Sequence, residues 1–122
     1  MTDLPRDPAG TAHAVEAVRE RVGSAGLVGV VEKAADRAAF LTAVGRALSF
    51  PSWYGENLDA LEDCLKDLSW LPEQPVALVW EDGPLAAAEP VTHEALLEIL
   101  GDAVAGHRGT DRPLEVTLAG PA

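Results

Sequence analysis

Apolar residues fall along this chain in two rhythms. Two short runs, Leu27-Val28-Gly29-Val30-Val31 and Val76-Ala77-Leu78-Val79-Trp80, are apolar throughout. Such runs suit strands covered on both faces, because a strand with one wet face alternates apolar and polar. Leu114-Glu115-Val116-Thr117-Leu118 predicts a third strand. Elsewhere the apolar spacing lengthens to three and four, the repeat of a helix. Ala14, Val15, Val18 and Val22 share one face of a helix from Thr11 to Val22, which Gly23-Ser24-Ala25-Gly26 stops. Phe40, Leu41, Val44, Ala47 and Leu48 mark a second helix, capped by Asp36 and ended before Pro51. A third runs from about Asn57 to Leu68, and a fourth, capped by Thr92, carries Ala95, Leu96, Ile99, Leu100, Ala103 and Val104. Residues 72–75, 81–84 and 106–113 read as loops or turns.

The main order is strand, two helices, strand, helix, strand. Helical connections between short apolar strands require a parallel sheet with right-handed crossovers. The expected class is therefore α/β, a three-stranded parallel sheet with helices packed on it. Residues 1–10, rich in Pro, Asp and Gly, read as disordered. Residues 1–26 read as a partly helical N-terminal extension, and residues 27–122 as the domain itself.

The third helix has two unlike sides. Leu58, Leu61, Leu65 and Leu68 fall within about 80° of one another at 100° per residue and face the core. Cys64 beside them reads as a small core residue, since no neighbouring base would activate it. Glu56, Asp59, Asp63 and Asp67 fall in another sector of about 80°, with Glu62 and Lys66 at its edge. Asp59–Asp63 and Asp63–Asp67 are like-charge pairs at i, i+4, each costing a few tenths of a kcal/mol, roughly, in an isolated helix. Asn57 is a good N-cap. Trp53 and Tyr54 precede the helix in a turn made by Pro51 and Gly55, where large rings are hard to bury fully. On spacing alone three readings stand: a solvated face, a carboxylate pair sharing a hard cation, or a docking face for a basic protein. Aromatic residues beside charge favour the third.

Composition narrows the class. The 122 residues suit one domain with its own core. The net charge is −11, and residues 56–82 carry eight acids against one base. The charge is thus concentrated around the third helix and is not a general solubility coat. An acidic surface of this kind repels nucleic acid and anionic membranes and attracts basic proteins. One cysteine allows no internal disulfide, which agrees with a reducing compartment. The N-terminus lacks the apolar core of a signal peptide, and no run approaches the ~18 apolar residues of a membrane span. A cytoplasmic soluble protein is expected. His13, His93 and His107 lack carboxylates or cysteines at ligand spacing and read as surface or cap residues. No metal, cofactor or catalytic group is expected.

The run Trp53-Tyr54-Gly55-Glu56-Asn57-Leu58-Asp59-Ala60-Leu61-Glu62-Asp63-Cys64-Leu65 closely resembles the signature segment of the barstar family, intracellular inhibitors of the ribonuclease barnase. The resemblance extends over about residues 27–119. It implies a small α/β domain with a three-stranded parallel sheet, monomeric when free, in which the acidic helix and the loop before it plug the active site of a basic, secreted ribonuclease in a 1:1 complex. By that resemblance Trp53 stacks on the enzyme's catalytic histidine, and Asn57 and Asp59 are contacts at the helix start. Asp63 is the anchor among the catalytic basic groups, and Asp102 is a second acidic contact. Tyr54, Gly55, Glu62, Lys66 and Asp67 complete the implied binding set, with Glu73 a peripheral acid. Three departures stand out. Glu62 replaces a tryptophan, Lys66-Asp67 replaces a Thr-Gly pair, and the loop to the next strand is longer, so that Leu68 or Trp70 takes the place of a further tryptophan. The alternative partner is another basic toxin nuclease, for which the chain would act as immunity protein or adaptor.

Overall fold

The computed structural model describes residues 3–121. The elements run β1 (Arg6–Asp7), α1 (Thr11–Val22), β2 (Leu27–Val31), α2 (Arg37–Ala47), α3 (Leu58–Asp67), β3 (Val76–Trp80), α4 (Gly83–Ala88), α5 (Pro90–Gly106) and β4 (Leu114–Ala119). The sheet is wholly parallel, with order β1-β4-β3-β2. β3 lies between β2 and β4, pairing Val31 with Trp80 and Trp80 with Leu118.

The sheet has four strands, not three. The fourth is formed by Arg6 and Asp7, inside the segment whose composition reads as disordered. Leu118 donates its N–H to the Pro5 carbonyl at 2.8 Å, and Gly120 donates to Asp7 at 2.9 Å. Two polar residues show no periodicity of their own. They become a strand because the β4 edge offers free backbone groups and because Arg6 finds a buried counter-ion.

β3 is buried at all five positions. Its side chains alternate between two clusters, as strand geometry requires. Val76, Leu78 and Trp80 join the main core with Phe40, Val44, Leu61, Leu65, Leu96 and Leu100 from the helices. Ala77 and Val79 face the other way, onto Ala14 and Val18 of α1. The N-terminal helix is therefore the second cover that an uninterrupted apolar strand demands. Small residues on this side, Ala77, Ala119 and Ala14, let α1 sit close. On the opposite face Gly29 serves the same end, because a Cβ there would fall 2.8 Å from the Ala47 carbonyl oxygen of α2.

Helix caps follow the sequence at two places. The Asp36 side chain accepts from Ala39 N–H at 2.8 Å, and Asn57 accepts from Ala60 N–H at 2.8 Å. Three expectations need correction. The Glu81–Pro84 stretch leads directly into the short helix α4, with Pro84 in its first turn, where no amide is required. Helix α5 begins at Pro90, so Thr92 lies inside the first turn and is not the cap. His93, expected at the surface or at a cap, is instead tucked against Asp82, 2.7 Å from Nε2 to Oδ2. No helix among the described residues is long and apolar enough to cross a membrane.

Candidate functional site

The acidic helix folds as its spacing predicts. Leu61, Cys64 and Leu65 are buried, as is Leu68, which ends the helix in the left-handed conformation (φ 54°). Asp59, Asp63 and Asp67 are exposed along the opposite side. Asp59 sits in the first turn, where the helix dipole favours a carboxylate, while Asp67 in the last turn is opposed by it. Lys66 Nζ lies 3.2 Å from Glu62 Oε1, an i, i+4 pair on the same exposed flank. This pair locally neutralises the helix just beyond Asp63. Burial, with the charges of Asp63 and Asp67 adding to it, pushes the Cys64 thiol up, away from the thiolate.

Glu56 departs from the helical extrapolation. It precedes α3, adopts φ 52°, and its carboxylate accepts a hydrogen bond from the Thr42 hydroxyl of α2. It is thereby turned back toward α2, out of line with Asp59, Asp63 and Asp67. A helical wheel placed it in that row only by extending the helix past its N-cap.

The loop between α2 and α3 carries the aromatic residues, and they part ways. Trp53 is 65% exposed. It occupies a turn closed by the Tyr54 N–H to Pro51 carbonyl bond at 3.0 Å. Tyr54 is half-buried and donates its hydroxyl to the Leu41 carbonyl at 3.0 Å. Burial pushes its phenol well up, with the nearby Cys64 and Glu56 groups adding, so the hydroxyl stays a donor. Phe50 packs edge-on against both Tyr54 (centroids 4.8 Å apart) and Trp70 (5.5 Å), and Trp70 Nε1 donates to the Leu48 carbonyl at 3.3 Å. Leu68 is thus a core residue, while Trp70 braces the loop from below. Gly55 leads into Glu56 and the Asn57 cap, and Asn57, Glu73 and Asp102 are exposed. Asp102 lies on α5, the helix that contacts α3, where His107 Nε2 is 2.7 Å from the Leu65 carbonyl oxygen.

The structure therefore brings Trp53, Asn57, Asp59, Glu62, Asp63, Lys66 and Asp67 onto one continuous loop and helix. It keeps Tyr54 largely inward. Sequence reasoning missed Thr42 and Gly45 of α2, which hold that loop. A glycine inside a helical pattern was the available signal, since it usually marks a close approach. Among the described residues no three His, Cys, Asp or Glu side chains converge closely enough to hold a metal ion.

A row of exposed carboxylates thus lies beside an exposed indole, both carried on a braced loop and helix. The chain belongs to the barstar family: residues 28–119 match the family model described as Barstar (barnase inhibitor). It is thus a barnase-inhibitor-like protein, and its first 27 residues lie outside the match. No curated protein matches the chain.

Proposed function

We propose that this protein inhibits a basic, secreted, guanyl-specific ribonuclease of the barnase type by occluding its active site. Trp53 stacks on the enzyme's catalytic histidine. Asp59 and Asp63 take the places of RNA phosphates among the enzyme's arginines and lysines, with Asp63 as anchor. Asn57 and Asp102 add contacts at the two ends of the face. Inhibition is by occupancy alone, in a 1:1 complex, with no catalytic group, metal or cofactor supplied by this chain, and it serves a cytoplasm that must be protected from its own nuclease. The observation that carries this reading is the exposed Asp59-Asp63-Asp67 row next to a largely exposed Trp53, inside the span matched to the family.

Truncating one partner of a buried interfacial charge pair costs about 2–5 kcal/mol, a range to which barnase and barstar themselves belong. Asp63→Ala should therefore weaken inhibition of a barnase-type ribonuclease at least thirtyfold, by roughly 2 kcal/mol or more, with unchanged circular dichroism. Equal inhibition by the variant would remove Asp63 as anchor. Association should also slow steeply as salt is raised.

The Glu62–Lys66 pair supports a second reading, in which the partner is another basic toxin nuclease. A cation beside the anchor suits an enzyme with an acidic group at the matching point of its rim. Capture of a nuclease that cuts DNA and not RNA would establish that alternative.

A further inference from the structure

Resting on the docking reading above, we propose that Thr42 and Gly45 of α2 are positioning residues, which set the pose of Trp53 without touching the partner. The loop that carries Trp53 has a left-handed residue at each end, Ser49 (φ 55°) and Glu56 (φ 52°), and neither is glycine. Residues with a Cβ hold that conformation only where their surroundings over-determine it, and such positions gather at binding sites. Here the surroundings are one face of α2. The Gly45 carbonyl accepts the Phe50 N–H at 2.8 Å, which fixes the start of the loop. The missing side chain of Gly45 makes room for Tyr54, because a Cβ would fall 2.9 Å from Cε2 and 3.1 Å from Cδ2 of its ring. With the ring seated there, the Tyr54 hydroxyl reaches the Leu41 carbonyl. Thr42 donates to the Glu56 carboxylate and fixes the end of the loop, one residue before the α3 cap. Trp53 lies between these two ties, adjacent to Tyr54, and is 65% exposed.

A glycine in the last turn of α2 and a non-glycine residue in the left-handed conformation at Glu56 each run against local preferences of the backbone. A loop held in its bound shape need not lose freedom when it docks.

The test uses the full chain, a barnase-type guanyl-specific ribonuclease as probe, and 5-fluorotryptophan labelling, with Trp53 assigned through Trp53→Phe. Thr42→Val should weaken inhibition about tenfold, through a faster off-rate, and Thr42→Ser should restore it. In the free protein Thr42→Val should narrow and shift the Trp53 fluorine signal as the ring gains motion, and leave the Trp80 signal unmoved. Gly45→Ala should do the same more strongly. Should that variant fail to fold, Thr42→Val and its serine rescue carry the test alone. An unchanged off-rate together with an unchanged Trp53 signal in Thr42→Val would overturn the proposal. If wild type does not inhibit the probe, or Asp63→Ala inhibits as well as wild type, the docking reading fails, and the free-protein fluorine signal still decides whether α2 positions Trp53.

Discussion

Arg6→Ala should destabilise this protein far more than the removal of a residue from a two-residue edge strand would suggest. The reason is Asp82, which is 1% exposed. Arg6 grips its carboxylate with two hydrogen bonds, Nη1 to Oδ1 at 3.0 Å and Nη2 to Oδ2 at 2.8 Å, and also donates to the Gly120 carbonyl at 3.2 Å. Removing one partner of a buried ion pair costs about 3–5 kcal/mol, because the other charge is left without compensation. Two features reduce that figure here. His93 Nε2 stays 2.7 Å from Oδ2, and the Arg6 side chain is itself 26% exposed. About 2–3 kcal/mol is therefore expected, which for a domain of this size lowers the melting temperature by roughly 8–12 °C. Circular dichroism melts at neutral pH measure it directly. A shift under 2 °C would show that water or His93 satisfies Asp82 and that the Arg6 contact is incidental. The pH dependence supplies a second check. Burial raises the Asp82 pKa, but the hydrogen bonds from Arg6 and His93 outweigh it and hold the carboxyl below its ordinary 3.8. A carboxylate lowered on folding stabilises above its unfolded pKa and loses that contribution as pH falls through its folded pKa. The gap between Arg6→Ala and wild type should accordingly be full at pH 6–7 and shrink below about pH 4, where the variant's Asp82 is neutral and no longer needs a counter-ion.

Lys66→Ala should speed association with a basic ribonuclease severalfold at low salt, an effect that fades at high ionic strength; a slower association would mean that Lys66 faces an acidic group on that enzyme. Cys64 is fully buried with its thiol pushed up, so labelling by a thiol reagent should proceed only at the rate of unfolding, and labelling in the native state within seconds would contradict the packing. Asn57→Ala removes the cap bond to Ala60 and should cost about 1 kcal/mol in urea melts, and its replacement by Asp should retain most of the stability.

The sequence made β2 and β3 legible to the residue, because every position of each run is apolar and both faces of the sheet are covered. It also located α1, α2 and α3, whose apolar faces repeat over three turns. Part of what it hid has its stabilising partner remote in the chain. β1 owes its existence to Leu118, Gly120 and Asp82, more than seventy residues away. α4 is too short to repeat a face, and its opening Gly-Pro reads as a turn. In the candidate site the carboxylate row was visible as spacing. The turn of Glu56 toward α2 was not, since it depends on a left-handed residue and a hydroxyl fourteen positions earlier.

Parallel α/β sheets usually bind their ligands in the crevice beyond the carboxyl ends of the strands. This chain fills that end. Asp82 lies two residues past the end of β3, and Arg6, which also reaches the Gly120 carbonyl, and His93 close around it. The proposed recognition surface is built elsewhere, in the connection from β2 to β3. That connection contains two helices where one would suffice to return the chain. The second, α3, ends at Leu68, and the carbonyl of Leu71 just beyond it accepts from Arg112 Nε at 3.0 Å, next to the starts of β3 and β4. The extra helix lays only its leucine stripe on the core and leaves its acidic side unopposed, and the junction between the helices must surface, carrying Trp53 with it. Like charges on one helix are a local cost, and the buried leucines of α3 together with its N-cap offset it. The polar pin beyond β3 and the acidic face of α3 share no side-chain hydrogen bond among the described residues and can therefore change independently. Substitutions at Arg6 should alter melting without altering affinity at temperatures where the protein is folded, and substitutions at Asp63 should do the reverse.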